Sequence, residues 1–162
     1  MQIYVKEFHY RDFQFVIAAT KKGLCFIGSE KSWNVWRNKQ LTDEFLEDEN
    51  GVTDPYCLQL AAYFKGERES FDFPLDLSST AFQDSVWKAL MEIPYGITQS
   101  YQDIADKIGR PRAVRAVGTA IGQNPALIII PCHRVIRKNG TLAGFREGIE
   151  MKKKLLKLEA AI

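Results

Sequence analysis

Residues that bind metals are scarce in this chain. Its 162 residues include three cysteines and two histidines, and neither a CxxC nor an HxxxH spacing occurs. Because zinc fingers and ribbons depend on such closely spaced pairs, the sequence predicts neither, and we expect no metal at Cys132. A site formed by His9, Cys25 and Cys57 is geometrically possible, although no spacing supports it.

Long apolar runs are also lacking. No stretch approaches the 18 consecutive apolar residues that indicate a membrane-spanning helix. The N-terminus, MQIYVKEFHYRDF, has neither the basic start nor the continuous apolar segment of a signal peptide. An odd number of cysteines is typical of a reducing compartment, in which thiols stay free. We therefore expect a cytoplasmic protein with no membrane partner.

Charge is present in both signs but is divided unevenly along the chain. Residues 1–80 carry 9 Lys and Arg against 13 Asp and Glu, a net charge of −4, whereas residues 81–162 carry 13 against 7, a net charge of +6. The second half is therefore the candidate for contact with a polyanion, although a difference of this size also arises by chance. A hydrophobic fraction of 46% favours a folded protein.

The first half of the chain shows strand patterns and then a helix. Three short apolar runs predict strands, at Ile3–Val5, Phe13–Ala18 and Leu24–Ile27, with Lys22-Gly23 as a hairpin turn. Residues 29–54 are polar and acidic, and they predict a loop, with or without one exposed helix.

The next helix has clear start and stop signals. It is predicted to begin at Pro55 with Asp54 as its N-cap, and to end at Gly66. Its apolar face is expected to contain Tyr56, Leu60, Tyr63 and Phe64. Residues 70–80 show no helical period and contain a proline, so we interpret them as a linker between two subdomains.

The second half begins with a capping-box pattern at Thr80 and Gln83, which predicts another helix. Its inward residues are expected to be Phe82, Val86, Leu90 and Ile93. Ser100 then caps a short helix, and a further helix is predicted from Arg112 to about Ile121. Two short helices around a tight turn predict a helix-turn-helix, although a plain pair of antiparallel helices fits the pattern equally well.

The last of these helices, RAVRAVGTAI, is narrow because most of its residues are small. Helices that read the major groove usually present long polar side chains to the base edges, and this one offers only Arg112 and Arg115. A slim helix could instead approach the minor groove, with Arg115 entering the base stack to fill a vacated position. The alternative is that small residues simply allow close helix packing.

Cys132 is the candidate nucleophile. It ends an apolar run and is followed by His133 and Arg134. A cysteine reacts as the thiolate, and an adjacent base or positive charge favours that form. The other two cysteines lie in apolar segments and are interpreted as small buried hydrophobic residues: Cys25 and Cys57.

The segment PCHRVI at 131–136 resembles the active-site motif of the methylated-DNA–protein-cysteine methyltransferases, or O6-alkylguanine-DNA alkyltransferases. The likeness continues through YFKGERESFDFPLDL, TAFQDSVWKAL, IPYGITQSYQDIADKIG, RAVG, NP and LLKLE, in the family's order and spacing. Together these segments span roughly residues 58–159. The first sixty residues match only in their general strand pattern.

The resemblance implies two subdomains and a repair reaction. Residues 1–75 are expected to form an α/β subdomain, a small antiparallel sheet plus helix that is ribonuclease H-like. Residues 76–80 are then a linker, and residues 81–162 a mostly α, winged-helix-like catalytic subdomain with the helix-turn-helix. The implied reaction moves the alkyl group from O6-methylguanine, and from O4-methylthymine, in DNA onto Cys132. Each molecule reacts once, and no cofactor takes part.

The resemblance also implies roles for individual residues. Cys132 is the alkyl acceptor, and His133 is a base that acts through a water molecule. Glu159 orients and polarises His133, in the order nucleophile, base and orienting carboxylate. Asn124 braces the active-site turn, and Tyr101 supports rotation of the base and donates a hydrogen bond to the guanine.

The implied partner is double-stranded DNA, bound by a monomer through the minor groove and largely independently of sequence. Arg115 takes the place of the flipped base, and Val135, Phe145 and Arg146 contact the substrate. The remaining DNA contacts are expected along the slim helix, at Arg112, Ala113, Ala116, Gly118 and Thr119.

The segment LAGFREGIE, the predicted lid of the substrate pocket, departs from the family pattern. Phe145 stands where the family often has tyrosine, and Arg146 and Glu147 replace small residues. The contact that matches Arg146 uses the backbone amide, so the reaction itself is expected to survive. We expect the bulky arginine to disfavour large alkyl groups such as benzyl relative to methyl.

Three other functions are compatible with parts of the sequence. A non-enzymatic damage sensor is disfavoured because such relatives have tryptophan at the position of Cys132. A thiol hydrolase lacks a second oxyanion donor and a catalytic Asn or Asp motif. A helix-turn-helix regulator is disfavoured because the slim helix offers little for specific base readout.

Overall fold

The computed structural model describes residues 1–40, 43–142 and 144–162. The chain divides into two compact units, an N-terminal unit Met1–Leu77 and a C-terminal unit Ser78–Ile162. No helix in the described ranges is long and apolar enough to cross a membrane.

A four-stranded sheet forms the centre of the N-terminal unit. Its strands are β1 (Gln2–Tyr10), β2 (Phe13–Thr20), β3 (Gly23–Gly28) and β4 (Glu44–Glu47), in the spatial order β3-β2-β1-β4. The three predicted strands are confirmed, and they pair antiparallel in sequence order. The expectation of a small antiparallel sheet was wrong in one respect, because β4 pairs parallel with β1 and makes the sheet mixed.

The acidic stretch 29–54 is more structured than its composition indicates. Helix α1 (Glu30–Arg37) begins after Ser29, whose side chain accepts a hydrogen bond from Ser32 N, and it buries Trp33 against the sheet beside Phe26. The one helix of the prediction is confirmed, but the prediction was wrong in two respects, because α1 buries Trp33 and because the same stretch also contains β4. Leu41 and Thr42 of this stretch lie outside the described residues.

Helix α2 (Asp54–Phe64) contributes the predicted buried residues Tyr56, Leu60, Tyr63 and Phe64. The ring of Phe64 stacks on that of Phe13, with centroids 4.3 Å apart. The N-cap is Thr53 rather than Asp54, because Asp54 is already the first residue of the helix. Thr53 is buried, and its hydroxyl donates to Asp48 Oδ2 at 2.6 Å.

The hairpin turn between β2 and β3 also differs by one residue from the prediction. It occupies Lys21 and Lys22, and Gly23 is already the first residue of β3. A Cβ at Gly23 would lie 2.7 Å from Pro74 O, so only glycine allows this close approach. Beyond Pro74 the chain continues along β3, where Asp76 N donates to Leu24 O at 2.8 Å.

The C-terminal unit is mostly helical. It contains α3 (Ala81–Met91), β5 (Gln99–Ser100), α4 (Tyr101–Lys107), α5 (Val114–Gly122), β6 (Val135–Ile136) and α6 (Ile149–Leu158). Helices α3, α4 and α5 pack on one another around the buried residues Val86, Leu90, Ile104, Val117 and Ile121. The capping box of α3 and the cap of α4 form as predicted, at Thr80–Gln83 and Ser100.

Helices α4 and α5 form the predicted pair of short helices. The connection turns at Gly109, whose φ of +74° is readily adopted only by glycine. Helix α5 begins at Val114, two residues later than predicted, because Arg112 and Ala113 still belong to the turn. The second helix is therefore shorter at its start than the apolar pattern indicates.

A buried segment leads from α5 to the candidate site. Residues 126–130 are all buried, and Ile130 N donates to Ala126 O at 2.9 Å. Ile128 has a φ of 73°, which is a strained conformation for a β-branched residue and is held by the surrounding packing. The chain then enters a single 3-10 turn, Cys132–Arg134, and β6 pairs parallel with β5.

Candidate active site

Cys132 opens the 3-10 turn and is 6% exposed. It lines a small pocket together with Ile121, Gly122, Asn124, Leu127, Gly144, Phe145 and Arg146. The pocket volume of about 20 Å³ is enough for a water molecule but not for a purine base. The pocket must therefore open before any base reaches the thiol.

Asn124 ties together the segment that precedes Cys132. Its Nδ2 donates to Ile130 O at 2.8 Å, and its Oδ1 accepts from Ala126 N at 2.9 Å. The side chain thus links Ala126 N to Ile130 O across the turn, and Asn124 is 2% exposed. It also contacts the cysteine, since a hydrogen bond from Asn124 lowers the pKa of Cys132.

Opposing influences act on the Cys132 thiol. Burial raises the pKa of Cys132 above its usual range, whereas the Asn124 hydrogen bond and the positive charges of Arg146 and Lys152 lower it. Burial is the largest of these, so the resting side chain is a protonated thiol. A reaction at this sulfur therefore needs a group that accepts its proton.

His133 and Glu159 form a hydrogen-bonded pair behind the cysteine. Nε2 of His133 lies 2.6 Å from Oε2 of Glu159, and both side chains are 0% exposed. Nδ1 of His133 is buried and has no hydrogen-bond partner among residues 1–40, 43–142 and 144–162. Burial lowers the pKa of His133 below its usual range, against the effect of Glu159. His133 is therefore a neutral imidazole that donates from Nε2 and keeps an acceptor at Nδ1.

Arg134 is a site residue whose role the sequence does not reveal. The sequence indicates only a positive charge beside Cys132, whereas in the structure the guanidinium binds Glu159 with Nε at 2.8 Å and Nη2 at 3.1 Å. Its third contact is to Ile93 O at 2.7 Å. Sequence position alone could not show which way this side chain points.

Lys152 is a second residue that the sequence does not single out. It belongs to the basic helix α6, yet it is 0% exposed, and its Nζ donates to Val135 O at 2.6 Å. Burial lowers the pKa of Lys152 to about 8, and Cys132 acts in the opposite direction. Val135 itself is buried, and its carbonyl is engaged by this lysine.

Tyr101 is brought to the site by the pairing of β5 with β6, because it follows directly after Ser100, which lies opposite Ile136. The ring is half-buried, and burial followed by the nearby Cys132 raises the pKa of Tyr101. The phenol therefore stays protonated and can donate a hydrogen bond near the sulfur. Gly118 of α5 lies beside the same ring, with 3.9 Å from an added Cβ to Tyr101 Cδ1.

The described part of the predicted lid contains Gly144, Phe145, Arg146 and Glu147, while Ala143 lies outside the described residues. Nη1 of Arg146 donates to Asn124 O at 2.6 Å, and Nε donates to Glu147 Oε1 at 2.9 Å. The arginine thus fastens the lid to the segment that carries Asn124. No feature of the sequence indicates this contact.

The solvent-exposed face of α5 carries small side chains and one long basic side chain. Arg115, Ala116 and Thr119 are exposed there, as is Arg112 just before the helix, while Ala113 and Gly118 are half-buried. The opposite face buries Val117, Ala120 and Ile121. The helix is therefore narrow on its solvent side, with Arg115 as its longest exposed side chain.

The described residues contain no group of three or more His, Cys, Asp or Glu that could hold a metal ion. Burial raises the pKa of Cys25 to about 12 and also raises the pKa of Cys57. Both side chains are therefore protonated thiols at neutral pH, and neither, in the part of the chain that the structure describes, lies beside a base like His133.

Comparison with known proteins identifies both units. Residues 12–77 match the family domain described as "6-O-methylguanine DNA methyltransferase, ribonuclease-like domain", and residues 81–161 match "6-O-methylguanine DNA methyltransferase, DNA binding domain". The chain is 48% identical over 154 residues to the inducible methylated-DNA–protein-cysteine methyltransferase of Bacillus subtilis, which covers 93% of this chain and 86% of that protein.

Two further relatives agree. A methylated-DNA–protein-cysteine methyltransferase of Methanosarcina acetivorans is 44% identical over 146 residues, covering 90% of this chain and 91% of that protein. The crystal structure of Mycobacterium tuberculosis OGT in complex with DNA has a TM-score of 0.84 and 39% identity, covering 99% of this chain and 94% of that one.

The fold and the site define a two-unit protein in which a buried cysteine, backed by a histidine and a glutamate, lies in the helical unit that also contains the short helices α4 and α5. The chain belongs to the methylated-DNA–protein-cysteine methyltransferase family.

Proposed function

We propose that this protein repairs DNA by transferring the alkyl group from O6 of guanine, and from O4 of thymine, to Cys132 in a single turnover. The observation that carries the proposal is the buried Cys132 next to the His133–Glu159 pair, in a chain of this family. The flipped base enters the pocket under the lid, and the thiolate displaces it from the alkyl carbon. The product is a thioether, and no group in the site hydrolyses it.

The proton and the electron pair have defined destinations. The thiol proton passes to His133 Nδ1 through a water molecule, and the Glu159 carboxylate stabilises the imidazolium that forms. As the S–C bond forms, the C–O6 bond breaks and its electron pair remains on the purine. The Tyr101 hydroxyl donates a hydrogen bond that stabilises this charge in the transition state. Asn124 holds the segment before Cys132 in place throughout.

Binding to double-stranded DNA is proposed to occur through the minor groove along α5. The exposed side of this helix is narrow, and Arg115 extends from it far enough to replace a flipped base. The other proposed contacts are Arg112, Ala113, Ala116, Gly118 and Thr119. Val135, Phe145 and Arg146 line or support the substrate pocket.

Further features of the proposal follow the family. The N-terminal unit is ribonuclease H-like, and the helix-turn-helix unit has a winged-helix-like form. The protein acts as a monomer in the cytoplasm, without a cofactor.

The test is a stoichiometric reaction with duplex DNA that contains one O6-methylguanine. Both products are weighed, and the protein is digested to locate the added mass. We expect one methyl group on the peptide that contains Cys132, an unmodified guanine in the DNA, and no transfer by Cys132→Ser.

Other outcomes identify the rival functions. Tight binding that leaves the methylguanine intact would indicate a damage sensor, and repeated turnover would refute the single-use mechanism. Methylation of Cys25 or Cys57 instead of Cys132 would show that Cys132 is not the alkyl acceptor. Cys57→Ser is the matched control for substitution of a cysteine and is expected to react like the wild type.

A further inference from the structure

Arg134 holds the Glu159 carboxylate more fully than His133 does. Its Nε donates to Oε1 at 2.8 Å and its Nη2 donates to Oε2 at 3.1 Å, so the guanidinium binds both oxygens. His133 Nε2 shares Oε2 at 2.6 Å, and Gly96 N shares Oε1 at 3.2 Å. A bidentate pair of this kind fixes both the position and the plane of the carboxylate.

The guanidinium is itself held on two further sides. Its Nη1 donates to Ile93 O at 2.7 Å, and its Cζ lies 5.8 Å from the centre of the Tyr95 ring. The Tyr95 hydroxyl in turn donates to Leu158 O at 3.3 Å, next to Glu159. With Arg134 only 6% exposed, the cluster contains a fixed cation that water barely reaches.

The charges of this cluster determine the protonation of His133. An arginine keeps its proton at every ordinary pH, so Arg134 and the ionised Glu159 already cancel. While Cys132 is a protonated thiol, a second proton on His133 would leave an uncompensated positive charge in a buried site, which is strongly unfavourable. When that proton comes from Cys132 itself, the thiolate left behind compensates the imidazolium. If position 134 were neutral, Glu159 would instead pair with an imidazolium. Lys152 of α6 adds another positive charge that opposes protonation of His133, and the adjacent Cys132 thiol is neutral at rest.

We propose that Arg134 is a positioning residue that directs Glu159 and keeps His133 in its neutral, proton-accepting form. The inference rests on the proposed function, in which His133 takes the proton of Cys132. In agreement with the geometry, burial lowers the pKa of His133, and the charge of Arg134 lowers it further against the effect of Glu159.

The protonation of His133 is directly measurable because the chain has two histidines. In a His9→Gln background, which changes an exposed residue of β1, His133 is the single histidine, and its imidazole NMR signals are followed from pH 5.5 to pH 8.5 without DNA. We expect His133 to stay neutral at pH 6.5, with its single imidazole proton on Nε2. Addition of Arg134→Gln should raise its titration midpoint by about one pH unit or more, while Arg137→Gln, at an exposed arginine, leaves it unchanged.

Methyl transfer supplies the second readout. We expect Arg134→Gln to slow transfer about tenfold at pH 6.5 and much less at pH 8.5, because the neutral fraction of His133 falls tenfold per pH unit below its pKa. Arg134→Lys, which retains the charge, should restore most of the low-pH rate and provides a second variant if Arg134→Gln does not fold.

The outcomes separate the two proposals. A cationic His133 at pH 7 in the His9→Gln protein overturns the inference without any change at Arg134. So does a slowing by Arg134→Gln that is equal at all pH values, which indicates a purely structural role. Absence of methyl transfer from a folded His9→Gln protein whose His133 is neutral would instead overturn the proposed function.

Discussion

A lysine inside a protein core carries an energetic penalty that depends on pH. Lys152 is fully buried, and its pKa of about 8 lies roughly 2.4 units below that of an unfolded lysine. Below pH 8 the side chain is charged in both states, so burial of the charge opposes folding. Between pH 8 and about pH 10.4 the unfolded chain holds the proton that the folded chain has lost, and stability rises with pH.

We therefore predict a pH-dependent difference between the wild type and Lys152→Met. From pH 7 to about pH 10.4, the wild type should gain about 3 kcal/mol of unfolding free energy relative to this variant. Chemical denaturation at both pH values measures the difference, and titrations elsewhere in the chain cancel. Lys153→Met, at an exposed neighbour, is the control. It retains Lys152, so its stability should change with pH in the same way as that of the wild type. Equal pH dependence in Lys152→Met and the wild type would mean that Lys152 titrates normally.

At the same scale, the sequence predicts the chemistry of the site better than its electrostatics. The adjacency of Cys132 and His133 suggests a nucleophile and a base, and the resemblance of PCHRVI and LLKLE to the family motifs adds Glu159 as the carboxylate. Arg134 and Lys152 are not recognisable in this way, since a basic residue in a loop or on a helix is usually solvated. Only the three-dimensional packing reveals that both are buried next to charged or polar atoms.

At the scale of an element, the predicted lid closes one side of the pocket, because Gly144, Phe145 and Arg146 line it together with Cys132. Arg146 crosses from the lid to Asn124 O at 2.6 Å, above a pocket of about 20 Å³. A large alkyl group needs this contact to break and the guanidinium to leave, whereas a methyl group needs less room. We predict that Arg146→Gly raises the ratio of benzyl to methyl transfer rates about tenfold, which corresponds to about 1.4 kcal/mol.

The measurement is a pair of single-turnover rates, with O6-benzylguanine and O6-methylguanine in the same duplex. Lys138→Gly, a similar truncation at an exposed position, is the matched control, and its effect on DNA binding cancels in the ratio. An unchanged ratio in Arg146→Gly would remove the lid arginine from the determinants of alkyl size.

Elements differ in how well their sequences predict them. The capping box at Thr80 and Gln83 and the strands β1 to β3 follow from local signals and form as predicted. The short strand β4 has no alternating pattern and exists because Phe45 packs into the core beside β1. Pairing between distant segments is a tertiary effect, and a four-residue strand leaves too little local signal for it.

At the scale of the whole molecule, charge separates the two units. The boundary after Leu77 leaves the −4 and +6 charges unchanged, since residues 78–80 are uncharged. Of the 13 basic residues of the C-terminal unit, all but Arg134 and Lys152 are exposed: Lys88, Lys107, Arg110, Arg112, Arg115, Arg137, Lys138, Arg146, Lys153, Lys154 and Lys157. We predict that affinity for undamaged duplex DNA falls at least about a hundredfold between about 50 and about 200 mM salt, because bound phosphates release counterions.

Titrations of two duplexes of unrelated sequence at several salt concentrations give the slope of log affinity against log salt concentration. Arg112→Gln should make it shallower by about one, whereas Lys21→Gln, in the acidic N-terminal unit, should leave it unchanged. A slope near zero, or affinities that differ strongly between the two sequences, would contradict binding through the phosphate backbone.

The closed pocket around Cys132 has a further consequence for a protein that is consumed by its own reaction. Between synthesis and use, such a molecule has to survive peroxides and free alkylating agents, which attack thiolates rather than thiols. Burial keeps the sulfur protonated and out of reach of anything larger than water. The closed pocket thus preserves the reactive cysteine until an alkylated base opens the pocket.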